Sequence, residues 1–133
     1  MKVRKIRQEK RERKIREIRE RKEKMKEKII RIYTEEKIKE LVNNLLEERY
    51  REECEKLGGL TEERVNDLYE LAEEAVQRAI PQCFGYSEAN YHSLVRAAVN
   101  KAIRDEIYRL IQIKNMEEVI KLALTIGWVK NDR

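Results

Sequence analysis

The chain has 133 residues, 43% of them charged, with 4 Gly and 1 Pro, which argues against sheets joined by many tight turns and for an all-α domain. Charges interrupt every apolar run. None reaches the ~18–20 residues a membrane span needs, and we expect no secretory signal. The net charge of +5 hides an asymmetry. Of 31 bases and 26 acids, 16 bases and only 6 acids fall in residues 1–31, leaving 15 bases against 20 acids in residues 32–133. A strongly basic arm on a mildly acidic body points to an anionic partner for the arm.

The arm contains no Gly or Pro. At ~100° per residue, Ile15, Ile18, Met25, Ile29, Ile32 and Tyr33 share one stripe. The half-wheel centred on that stripe carries Arg4, Arg7, Lys10, Arg11, Lys14, Arg21, Lys22, Lys26 and Lys28 and no acid. Glu9, Glu12, Glu17, Glu20, Glu23 and Glu27 all lie on the other half, several of them four residues before a base, in the orientation that supports a helix. A disordered tail has no reason to sort charge by face, so the arm is expected to be a two-faced helix.

The apolar phase slips after Tyr33. Thr34, followed by Glu35 and Glu36, reads as the N-cap of a second helix, expected to run through Tyr50 and Cys54 to Leu57 and to end at Gly58-Gly59. Thr61 caps the next helix, whose stripe from Val65 to Ile80 is stopped by Pro81. Ser87 is expected to cap a helix from about Glu88 to Ile113. Asn115 with Glu118 resembles a capping box for a short last helix ended by Gly127, with Trp128 closing the end of the bundle. These segments make a compact bundle of about four helices over residues 34–133, preceded by the arm at 1–33.

Catalytic chemistry is sparse. His92 and Ser93 are neighbours on a helix and point in different directions, and no phosphate loop or metal-ligand spacing occurs. No enzyme, cofactor or metal site is expected. Cys54 and Cys83 form no ligand pair; buried thiols are the plain reading, and a disulfide between them stays open. Phe84, Tyr86 and Tyr91 suit packing or loop anchoring better than base stacking. The basic face suits a phosphate backbone, bound without sequence reading and with steep salt dependence. The Ile15/Ile18/Met25/Ile29 stripe is expected to align neighbouring arms through protein–protein contacts.

The basic arm from Lys2 to Arg31, the four helices after Thr34 and a Glu/Lys/Arg-rich composition like that of proteins from hot environments together resemble one family. It is that of the major capsid proteins of filamentous viruses infecting hyperthermophilic archaea. The resemblance implies an extension that wraps linear double-stranded DNA in an A-like form and bundles that pack, with copies or a paralogue, into a helical virion. Contact with a lipid envelope, and a passage through the host cytoplasm during assembly, are implied with it. Arms of that family often bend at prolines; the only proline here is Pro81, so a bend is expected at Thr34. The alternatives are a cellular nucleoid- or RNA-associated protein, and an adaptor whose basic helix binds a membrane surface or an acidic protein groove.

Overall fold

A computed structural model describes residues 2–127, with side chains from Arg4 onward. The fold is all-α, with no strand among the described residues: α1 (Lys2–Ile32), α2 (Glu35–Asn44), α3 (Arg51–Lys56), α4 (Glu62–Ala79) and α5 (Glu88–Thr125). Local chemistry sets most boundaries. The Thr34 hydroxyl accepts from the Lys37 amide at 3.3 Å and that of Thr61 from the Arg64 amide at 3.2 Å, each ahead of two glutamates in the first turn. Gly58 closes α3 at φ 75°, and the Gly59 amide reaches the Cys54 carbonyl at 2.9 Å, so carbonyls of the last turn are satisfied. Pro81 ends α4 in a single 3₁₀ turn, Ile80–Cys83. Ser87 stands at the N-cap of α5 with an extended backbone, but its hydroxyl makes no capping bond.

Two boundaries differ from the sequence expectation. The single helix expected from Glu35 to Leu57 is interrupted by a π turn at Leu45–Arg49, where the Tyr50 amide bonds the Leu45 carbonyl at 2.9 Å. The extra residue in that turn rotates Tyr50 inward, buried, with its hydroxyl donating to Asn100 Oδ1 at 2.5 Å. The helix expected to stop near Ile113 does not stop. Asn115 lies inside α5, which continues unbroken to Thr125 because no Gly or Pro interrupts it. Trp128, expected to close the bundle, lies outside the described residues.

The core forms where α4 and α5 pack along each other and α2 crosses them. Leu68, Ala72 and Val76 of α4 meet Val95, Val99, Ile103 and Ile107 of α5, with Ile38 and Val42 from α2. The root of α1 joins this core through wholly buried Ile29 and nearly buried Tyr33, with Met25 and Ile32 half-buried beside them. Cys83 is buried and Cys54 half-buried, both as free thiols, each raised above its ordinary pKa by burial.

The burial contrast along α1 predicts that Ile29→Ala costs about 2–5 kcal/mol, as for a fully buried aliphatic side chain. Ile15→Ala, at a position 50% exposed, is expected to stay within about 0.5 kcal/mol of the parent. Urea or guanidinium midpoints at constant slope measure both.

Candidate nucleic-acid interface

The 31 residues of α1 span roughly 46 Å at ~1.5 Å per residue. Its contact with the body begins at Ile18. Ile18, Arg21, Lys22 and Met25 line a groove with Phe84, Gly85 and Tyr86 of the loop before α5. N-terminal to Ile18 the described side chains of the helix are all exposed, so roughly 24 Å of it projects as a rod.

Three polar contacts refine the angle at which the rod leaves. The Lys28 ammonium donates to Glu88 Oε2 at 3.0 Å, tying the arm to the first turn of α5. The Tyr33 hydroxyl lies 2.7 Å from His92 Nδ1 one turn further on, with the two rings 5.7 Å apart. Lys22 Nζ stands 5.5 Å above the Phe84 ring, a cation–π distance.

Because Met25, Ile29 and Tyr33 turn the centre of their stripe toward the core, the acid-free half of α1 faces the same way along its length. The basic face of the rod therefore overlooks the end of the bundle where α5 begins, and the six glutamates look away. Exposed Pro81, Gln82, Tyr86, Ala89 and Asn90 occupy that end; its one acid, Glu88, already holds Lys28. Acids of the body also stand beside the arm's root, where Glu35, Glu70, Glu73 and Glu74 line a groove with Ile30 and Tyr33. On the other side, the groove between α1 and Phe84–Tyr86 is lined by Arg21 and Lys22 and, among the described residues, by no acid.

All nine bases of the expected contact set are exposed on α1, but they are not equivalent. Lys28 is corrected from an unopposed phosphate ligand to a structural partner of Glu88, whose carboxylate it holds below the ordinary value while its own ammonium is raised. Lys22 is engaged with Phe84. Arg4, Arg7, Lys10, Arg11, Lys14, Arg21 and Lys26 have no ion-pair partner among the described residues, and none of the glutamates spaced four residues before a base on α1 closes an ion pair there. The apolar stripe is corrected too. Ile29 is wholly inside this chain's own core and Met25 packs against it, so only Ile15 and Ile18 remain open to a neighbouring copy. Tyr86, expected to pack or to anchor its loop, is 53% exposed beside Ile18 and Lys22, at the edge of the basic face. Its position depends on a contact between segments some sixty residues apart, for which the sequence carries no local signal.

No family model, curated protein or solved structure matches the chain. Function rests on the site itself.

The Lys28–Glu88 pair carries a pH signature. A carboxylate held below its ordinary 4.5 adds stability in full above that value and loses it as pH falls through the lowered one. An ammonium raised above 10.5 adds it in full below 10.5 and loses it as pH climbs through the raised value. The melting-temperature difference between the parent and Glu88→Gln is thus expected to be small, flat between about pH 6 and 9, and to shrink as pH falls below 4.5. Thermal melts across that range check it.

Proposed function

We propose that this chain is a structural, non-enzymatic protein that binds the phosphate backbone of double-stranded DNA through the inward-facing basic side of α1 and packages it by assembling with further copies. The observation carrying this reading is the direction of charge. Exposed bases without ion-pair partners line one face of a projecting helix, turned toward the acid-free groove at Phe84–Tyr86, with the arm's acids on the far side. A helix that only needed solvation would mix its charges around its circumference.

The bases crowding the start of α1 also oppose its own dipole, since Arg4 and Lys5 sit where a helix favours acids and its first turn contains none. Without tertiary contacts before Ile18, that stretch is a marginal helix alone, and phosphates along it relieve the repulsion. The long Arg and Lys side chains reach charge rather than base edges, so binding follows shape and charge. The fold disfavours the membrane reading of the arm. Its root spends Met25, Ile29 and Tyr33 on the core and leaves Ile6, Ile15, Ile18 and Ile30 as the exposed large apolar side chains of α1, too little for an interfacial helix. Among the described residues no helix is long and apolar enough to cross a membrane. Packing of such subunits side by side around linear DNA is the arrangement the capsid resemblance implies, and it forms the finer part of the proposal.

Affinity for unrelated duplexes is expected to fall about 10³–10⁵-fold between 50 and 200 mM salt, as for six to ten neutralised phosphates. Arg11→Glu, Lys14→Glu and Arg21→Glu together are expected to abolish binding, while Glu12→Gln, Glu20→Gln and Glu23→Gln leave it intact or raise it. Fluorescence anisotropy with two unrelated duplexes reads both; equal loss in the two sets would defeat the face assignment. Electron microscopy of the protein with linear DNA then separates packaging, seen as regular filaments, from a cellular binder, seen as isolated particles.

A further inference from the structure

The end of α5 leaves the bundle. Leu110 and Ile111 are its last apolar side chains against the core, and the Lys114 ammonium donates to the Lys56 carbonyl at the end of α3. Beyond that point Met116, Val119, Ile120, Leu122, Leu124 and Ile126 are 43–65% exposed. At ~100° per residue Met116, Val119, Ile120 and Ala123 share one face, and Leu122 and Leu124 widen it on either side. Together these side chains form an apolar surface that the rest of the chain leaves largely uncovered, as at sites of protein–protein contact.

We infer that this segment is a dimerisation helix whose occupant is the same segment of a second copy, packed antiparallel about a two-fold axis between Val119 and Ile120. Several features favour a second copy over other partners. Glu117, Glu118 and Lys121 supply the charge of residues 115–126, a net of −1. A phosphate backbone or anionic lipid surface therefore finds no set of cations here, unlike on α1. Glu118 and Lys121 lie opposite the apolar face, so two such faces meet without desolvating those charges. The antiparallel register is self-complementary in size: it sets Met116 of one copy level with the small Ala123 of the other, twice, around a central Val119–Ile120 layer. The inference deepens the proposed function and rests on its self-assembling half, but the segment is at the opposite end of the bundle from the basic arm.

The test uses the full chain without nucleic acid. Sedimentation equilibrium at about 100 µM, where even a micromolar contact is populated, is expected to give a dimer. Val119→Glu with Ile120→Glu is expected to give a monomer of unchanged helical content and melting cooperativity. In a background carrying Cys54→Ser and Cys83→Ala, Ile120→Cys is expected to cross-link to itself under mild oxidation. Met116→Cys is expected to cross-link only when mixed with Ala123→Cys. A parent monomeric at that concentration, a dimer indifferent to Val119→Glu and Ile120→Glu, ready self-cross-linking of Met116→Cys, or uptake by phosphatidylcholine vesicles through the same side chains would each overturn the inference. The two proposals fail separately: the charge-reversed arm is expected still to dimerise, and the monomeric variant is expected still to bind duplex DNA at low salt.

Discussion

Burial of the α1 root is the constraint on which the rest of the architecture depends. A helix with more charge than apolar surface has no reason to hold a direction in water, because its own ion pairs are weak and its side chains are fully solvated. Ile29 and Tyr33 remove that freedom by entering a core built by α2, α4 and α5. Once they are buried, the helical repeat decides which way every residue before them points, and a sequence pattern becomes a direction in space. The polar contacts at Glu88 and His92 refine the angle; they do not create it.

The same burial divides the chain into regions of different chemistry. The rod presents charge that its own body does not neutralise, and the acids beside its root at Glu35, Glu70, Glu73 and Glu74 form no ion pair with it among the described residues. The free end of α5 presents the reverse, a wide apolar surface with little charge. Both excesses are costly for an isolated monomer, through self-repulsion in one case and exposed hydrocarbon in the other. They sit at opposite ends of the bundle, so relieving one by association leaves the other accessible.

What was legible in the sequence follows the range of the interactions concerned. Thr34 and Thr61, the Gly58-Gly59 stop and the Pro81 break act within a turn of the chain, and the all-α fold and most boundaries could be read from them. The π turn at Leu45–Arg49 could not, because what rewards it is the reach of Tyr50 to Asn100, fifty residues away. Asn115 and Glu118 have the spacing of a capping box, yet a cap forms only where the helix has a reason to begin, and here one was already running. On the arm, the periodicity showed which residues share a face, but a stripe that runs on from Ile15 to Tyr33 does not say where this chain's own core stops covering it. The partners of Lys22 and Lys28 were hidden for the same reason, since Phe84 and Glu88 reach them only through the tertiary fold.

The unbroken α5 has a mechanical consequence. Its first turns carry Glu88 and His92, which seat the rod, and its last turns carry the exposed apolar face, with no loop between them. The helix acts as a shaft roughly 57 Å long that keys one end of the molecule to the other at a fixed rotational phase. Removing a single residue from its middle would turn one end against the other by about 100° and shorten the span by about 1.5 Å. Such a lesion would leave both surfaces chemically intact and misaligned with each other. The length of α5, as much as its composition, therefore sets how the two ends are oriented to each other.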